Sequence, residues 1–358
     1  MAFLRRYYYK KKLFLILAVV VDFLLLPVKL FVKPLVFSQI NIPAGKKILI
    51  FSLGGIGDAV LLEPTVRFLK KIYPAVAIDL VTNQLSANIF NLIPGLNDIF
   101  IFPNFKKGFH PIAWYKFYYQ FRGRFLNNYA VSIDTKGDPL VIIFMLAINS
   151  SVRVGFINGG LQTLLQVAQD NTISVARSVQ LLSLCGGSKE DFAPHLNVSL
   201  SLLKTGQDLL DQLVVDKSKN ILGVHLGAGD SSKLLPLKFW EEILNNLIQK
   251  YNVIFFGSLA DKNIFLSLPD DLRKNIIDLS GLPVIDAVGA MTKTVLFIGH
   301  DSGLSHVASA LGIKTLCLFS LINDPKIWAP NPAHVITFDP LSPSVLLPDE
   351  VIDYVNSL

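Results

Sequence analysis

The stretch FSLGGIGDAVLLEPTVRFLKK, residues 51–71, carries an apolar run (Ile48 to Leu53) through a glycine cluster (Gly54, Gly55, Gly57) into a helical pattern. A strand feeding a helix through bare glycines opens an α/β sheet. Such a helix start usually cradles phosphate, because free N–H groups and the helix dipole favour an anion. Here Asp58 follows the last glycine directly, and a carboxylate repels a phosphate. Three readings remain. As a dinucleotide fingerprint, the loop has Gly55 and Gly57 but Val60 in the third place. The acidic residue further on, Asp79, lies inside the strand pattern AIDLVT. As structure alone, Asp58 caps the helix. As chemistry, the bare loop admits an acceptor hydroxyl and Asp58 takes its proton as general base.

Outward from this loop, short apolar strands alternate with amphipathic helices, the pattern of parallel sheets. The periodicity predicts strands at Ile48–Leu53, Ala77–Val81, Ile99–Phe102 and Ala130–Ile133, then at Ile221–His225, Val253–Phe256, Val295–Ile298 and Thr315–Phe319. The polar, helix-like segment 188–218 separates the two sets. The expected organisation is a first α/β domain over 45–200, a second over 218–342 and a closing helix over 343–358, the two domains facing across a cleft.

Two loops of the second half suit an anion. In VHLGAGDSSKLLPLKFW, residues 224–240, a strand ends at Gly227 and Gly229, and Lys233 follows in a polar loop. Small residues, backbone amides and one cation are what a diphosphate needs, although an ordinary turn with an exposed lysine reads the same way. In FIGHDSGLSHVASALG, residues 297–312, a strand delivers His300, Asp301, Ser302 and Gly303 to a helix start, with His306 in its first turn. The amides of Ser302, Gly303 and Leu304 form a ready anion site. Ser302 as a plain cap and His306 as a helix-end histidine are the alternatives. A hydrolase triad from these neighbours is excluded, since one tight turn cannot arrange nucleophile, base and orienter. No metal-ligand spacing such as H-E-x-x-H occurs.

Hydrophobic residues make up 51% of the 358 and charged ones 17%, which excludes a disordered chain or a coiled coil. The net charge of +6 is concentrated at one end, where residues 1–47 hold nine Lys or Arg against Asp22 alone. The remainder is slightly acidic, so the chain lacks the basic face of a nucleic-acid binder. Cys185 and Cys317 stand far apart in apolar segments and read as packing residues. The head RRYYYKKKLFLILAVVVDFLLLPVKLFVKPLVF has basic and aromatic flanks around an apolar stretch broken by Asp22, Pro27 and Lys29. A spanning helix or a signal peptide is possible. A monotopic anchor over residues 1–40, lying in the leaflet with its basic residues on anionic headgroups, fits these interruptions better.

Three stretches, ILIFSLGGIGDAVLLEPTVRFLKKIYP, HLGAGDSSKLLP and IGHDSGLSHVASALGIKTLCLF, resemble in order and spacing the motifs of glycosyltransferase family 9, the bacterial ADP-heptose:lipopolysaccharide heptosyltransferases. YAVSIDTKGDPLVIIFMLAINSSVRVGF and NDPKIWAP are similar to further stretches of that family, and the likeness runs from about 46 to 340. The chain departs from the family's pattern at KLLP, where K-R-W-P is frequent, and at His300, where a small or polar residue is common. The resemblance implies a GT-B fold of two Rossmann-like domains. It also implies inverting transfer, independent of metal or cofactor, from a nucleotide-sugar donor. By position, Asp58 resembles the catalytic base, Lys233 the cation on the donor phosphates, and Asp301 to Leu304 the donor-binding turn. The implied acceptor is a lipid-linked glycan such as the lipopolysaccharide core, met at the cytoplasmic face of the bacterial inner membrane. A membrane-tethered binding protein that keeps the fold without the chemistry is the rival reading.

FKKGFHPIAWYKFYYQFRGRF, residues 105–125, interleaves five basic residues with nine aromatics. It reads equally as a surface for lipid headgroups or a phosphorylated glycolipid, and as a helix burying one aromatic face.

Overall fold

The computed structural model describes residues 40–102, 111–136, 139–157, 164–165, 167–170, 177–188, 192–214, 216–342 and 346–358, with isolated positions before residue 40. The anchor expected over residues 1–40 therefore lies largely outside the described residues. Among the described residues, no helix is long and apolar enough to cross a membrane. The chain divides into two compact units between Phe192 and Ala193.

In the first unit the order is β1 (Lys47–Ser52), α1 (Ile56–Ile72), β2 (Ile78–Thr82), α2 (Gln84–Phe90), β3 (Leu96–Ile101) and α3 (Pro111–Phe125). There follow β4 (Tyr129–Asp134), α4 (Pro139–Ala147), β5 (Val152–Ile157), β6 (Val167–Asp170) and α5 (Arg177–Leu184). The six strands form one parallel sheet in the order β3-β2-β1-β4-β5-β6. Ile48 to Phe51 are buried because helices cover both faces of a parallel sheet, which is why β1 reads as an unbroken apolar run. Trp114, Phe117 and Phe125 of α3 and Phe144 and Met145 of α4 pack on Leu49 and Phe51 in one aromatic-rich core.

The second unit begins with α6 (Leu200–Leu213), then β7 (Ile221–His225), a 3₁₀ turn at Ser231–Lys233, α7 (Leu237–Lys250), β8 (Asn252–Phe255), α8 (Lys262–Leu266), α9 (Asp270–Arg273) and β9 (Ile276–Asp278). It continues with α10 (Val284–Met291), β10 (Leu296–His300), α11 (Gly303–Ala310), β11 (Lys314–Ser320), α12 (Pro325–Trp328), β12 (His334–Phe338) and α13 (Pro348–Asn356). Its parallel sheet runs β12-β11-β10-β7-β8-β9. The segment read as a connection between domains is α6, which packs on α10 inside this unit. Gly206 makes the approach possible, since a Cβ there would collide with the Gly289 carbonyl. The closing helix α13 likewise joins this unit's core through Val351 and Val355.

All eight expected strands are present, and β5, β6, β9 and β12 are added to them. Each sheet reverses direction at one point, between β1 and β4 in the first unit and between β7 and β10 in the second. Ligands of open α/β sheets bind beyond the strand ends at such switch points. The glycine loop follows β1, and the two anion-ready loops follow β7 and β10.

Candidate functional site

At the first switch point the backbone of the β1–α1 loop is pinned from its neighbour. Asn83, which caps α2 by accepting the Ser86 N–H at 3.1 Å, donates its Nδ2 to the Gly54 carbonyl at 2.5 Å. The Ser86 hydroxyl donates to the same oxygen at 2.8 Å. Asp58 then folds back over the loop, its Oδ2 accepting the Gly55 N–H at 2.8 Å. A Cβ at residue 54 would collide with that carboxylate, so the glycine is needed by Asp58 itself. From across the switch point Lys136, two residues past β4, brings its Nζ to 3.1 Å from the same Oδ2. The Thr135 hydroxyl donates to the Phe51 carbonyl at 2.9 Å, and the Lys136 N–H donates to Asp134 Oδ1 at 2.9 Å, fixing the turn that carries the lysine. The Asp58 side chain remains one-third exposed. The cap and the exposed carboxylate are thus the same group, with Oδ2 engaged and one-third of the side chain open to solvent.

Asp79 has no part in this arrangement. It is fully buried near the start of β2, where it accepts from Tyr129 Oη at 2.7 Å and from Lys47 Nζ at 3.0 Å. A dinucleotide's acidic partner belongs at the far end of that strand. The dinucleotide reading therefore fails on geometry as well as on the missing glycine.

At the second switch point Lys233 lies in the 3₁₀ turn that Asp230 caps by accepting the Ser232 N–H at 3.0 Å. Its Nζ meets Asp301 Oδ2 at 2.5 Å, and Asn323 Nδ2 donates to the same oxygen at 3.2 Å. The expected cation and the expected donor turn are thus joined directly. Ser302 stands at the N-cap of α11 without capping it. Its Oγ lies instead 2.9 Å from His225 Nδ1, while His225 Nε2 faces Asp261 Oδ2 at 3.6 Å. With the imidazole proton on Nε2 towards Asp261, Nδ1 accepts and the Ser302 hydroxyl donates. Burial opposes ionisation of Asp261, but hydrogen bonds from His225 and Ser258 hold its carboxyl down at about 2. Drawing the Ser302 side chain aside leaves the first amides of α11 to an outside anion.

The glycines of the β7 loop divide by role. A Cβ at Gly227 would run into the Asp261 carboxylate and His225 Nε2, whereas Gly229 faces open space. His306 is buried in the first turn, with its N–H on the Ser302 carbonyl at 3.4 Å. His300 is buried too, its Nε2 accepting the Leu235 N–H at 3.0 Å and its ring edge-on to Trp240 at 5.2 Å. The two departures from the family pattern, KLLP and His300, therefore meet in one hydrogen bond that holds the Lys233 turn. Cys185 and Cys317 are buried, and burial pushes both thiols up; Cys317 pairs with Gly299 in the sheet beneath the donor-side loops, where the Asp301 carboxylate adds to the shift.

Sequence reasoning missed Lys136, Asp261, His225 and Asn323. Lys136 stood in the quoted DTKGDP, at the end of a predicted strand, but only the strand order brings that end beside Asp58. Asp261 comes from the β8–α8 loop and carried no motif.

The family model described as Glycosyltransferase family 9 (heptosyltransferase) matches residues 123–339, which hold Lys136, Lys233 and the α11 turn but not Asp58. Lipooligosaccharide heptosyltransferase 2 of Campylobacter jejuni is 23% identical over 135 residues, 36% of this chain and 43% of the relative, so the match spans less than half of that protein. Among solved structures, a glycosyl transferase family 9 protein from Veillonella parvula superposes with a TM-score of 0.72 at 16% identity, covering 87% of this chain and 96% of the other. The ADP-heptose lps heptosyltransferase II of E. coli gives 0.71 at 20%, covering 87% and 98%. An E. coli heptosyltransferase solved with ADP gives 0.67 at 15%, covering 87% and 99%. At these identities the structural likeness is one of fold, the two-sheet GT-B-like architecture described above. With the family model spanning more than half of its length, the chain belongs to glycosyltransferase family 9 (heptosyltransferase).

Proposed function

We propose that this protein is an inverting glycosyltransferase that moves a sugar, heptose from ADP-heptose, onto a lipid-linked glycan acceptor such as the lipopolysaccharide core. Residues 1–40 hold it at the cytoplasmic face of the bacterial inner membrane. The observation that carries the reading is the complementary chemistry of the two switch points. One presents a partly exposed carboxylate, Asp58; the other presents Lys233 beside a helix start whose cap residue is turned away. The solved E. coli relative with bound ADP supports a nucleotide diphosphate as the ligand of the second.

In this mechanism the acceptor hydroxyl gives its proton to Asp58 as its oxygen bonds to the anomeric carbon. The bond from that carbon to the diphosphate oxygen breaks, inverting the centre. Charge growing on the departing diphosphate is met by the Lys233 ammonium and the amides of Gly303 and Leu304, donors already oriented before reaction. Gly54, Gly55 and Gly57 form the acceptor-side loop, while Gly227, Gly229, Asp301, Ser302 and His306 shape the donor side.

Replacing Asp58 with Asn keeps the shape and the Gly55 contact but removes the base. We expect Asp58→Asn to retain donor binding and to lose turnover by at least ~10²-fold in a radiolabelled ADP-heptose transfer assay. Unchanged turnover would overturn the role of Asp58. The hydrogen bond from Gly55 and the pairing with Lys136 favour one second reading, that Asp58 is structural and the chain a tethered nucleotide-sugar or glycan binder. Donor binding without transfer to any lipid-linked acceptor would select it.

A further inference from the structure

Helix α3 has two faces of different chemistry. Its inner face, Trp114, Phe117 and Phe125, is buried in the first unit's core. Its outer face carries a ridge at helical spacing: Ile112 is 71% exposed, Tyr115 66% and Tyr119 59%. The Tyr115 and Tyr119 rings stack at 6.2 Å, and the Arg122 guanidinium lies 5.1 Å over the Tyr119 ring. Lys116 is exposed beside them. The whole helix contains no acidic residue. Neighbouring α4 is PLVIIFMLA, nine residues without a polar side chain, and it exposes Ile143 and Leu146. The two helices share one core through Phe144, which packs on Trp114, Phe117 and Tyr118.

Single exposed apolar residues are ordinary, but two adjacent helices that both turn large apolar groups outward mark an interaction face. The chemistry of the face selects its occupant. Tyrosines with basic residues among aliphatic ones are the composition of a membrane interface, where rings lie at headgroup depth and cations meet anionic lipids. The chain also opens with a segment of the same character, basic, tyrosine-rich and then apolar.

We propose that the α3–α4 face docks on an anionic lipid bilayer, with Ile112, Tyr115 and Tyr119 at headgroup depth and Lys116 and Arg122 on lipid phosphates. Helix α4 starts five residues past the C-terminal end of β4 and α3 ten residues past that of β3, the end of the sheet where the Asp58 loop lies. Docking by this face holds the acceptor side of the first unit against the lipid surface. The surface alone carries the inference, whether or not Asp58 is a base.

The test reads these positions directly in the full chain. Cys185 and Cys317 are 1% and 0% exposed, so an introduced surface cysteine takes an environment-sensitive fluorophore selectively. Tyr119→Cys and Tyr115→Cys are labelled, with Lys71→Cys on α1, across the sheet, as the reference. On adding phosphatidylglycerol-containing vesicles, the labels at 119 and 115 are expected to shift to the blue and to be quenched by headgroup-proximal spin-labelled lipid. The label at 71 stays unchanged. Lys116→Glu with Arg122→Glu is expected to weaken vesicle binding by roughly tenfold or more. Three results would overturn the proposal: no vesicle binding, binding with the 115 and 119 labels unmoved, or labels already blue-shifted without vesicles. The last would mean that residues 1–39 or a second copy covers the face.

Discussion

His300 shows how one buried side chain couples the Lys233 turn to pH. Its Nε2 takes the Leu235 N–H, and complete burial, with His225 nearby, pushes the imidazole down to about 3 from its usual 6.5. The native state therefore keeps it neutral while the unfolded chain protonates it below about pH 6.5. A lowered histidine pKa leaves stability intact above the unfolded value and removes it as pH falls from there towards 3. The loss is at most about 1.4 kcal/mol per pH unit for one proton. Denaturant melts at pH 7 and pH 5 are expected to show this fall in the natural protein. His300→Asn is expected to be less stable at pH 7, through lost packing on Trp240, but with a shallower loss between the two pH values. An identical pH slope in the variant would mean that His300 is not the group responsible. His300 was legible only as an oddity before Asp301; its partner Leu235 lies 65 residues earlier.

The glycine loops are elements whose form was legible and whose reason was not. Strand, glycine loop and helix followed from periodicity at both β1 and β7. The physical need for Gly54 and Gly227 comes from side chains of the protein, the carboxylates of Asp58 and Asp261, rather than from a phosphate close to the backbone. For Gly54 the partner is four residues away and recoverable. For Gly227 it is on the next βα loop, beyond any local pattern. Gly54→Ala is accordingly expected to displace Asp58, lowering stability by about 1–3 kcal/mol and lowering turnover with it. Gly229→Ala, pointing into open space, is expected to stay within about 0.5 kcal/mol of the natural protein in the same melts. Equal effects at the two positions would contradict this division. The strands not foreseen have local causes as well. β9 is three residues long, β6 four, and β12 is an edge strand with exposed His334.

On the scale of the whole molecule, the chain uses one plan twice. Counted from its first strand, each sheet has the order 3-2-1-4-5-6, so each unit has one switch point, and the sequence motifs fall on both. The alternation of strands and helices made that plan legible. The division at Phe192/Ala193 was less so, because α6 is amphipathic, reads as a polar connection, and is recognised as core only through its contact with α10. We propose that the second switch point holds a nucleotide diphosphate through Lys233 and the α11 amides. Calorimetric titration of the full chain with ADP-heptose, and in parallel with UDP-, GDP- and CDP-sugars, tests it most directly. ADP-heptose is expected to bind saturably, and Lys233→Ala to weaken binding roughly 10- to 100-fold through loss of a charge-assisted contact. Absence of binding to all four donor classes, or unchanged affinity in Lys233→Ala, would contradict it.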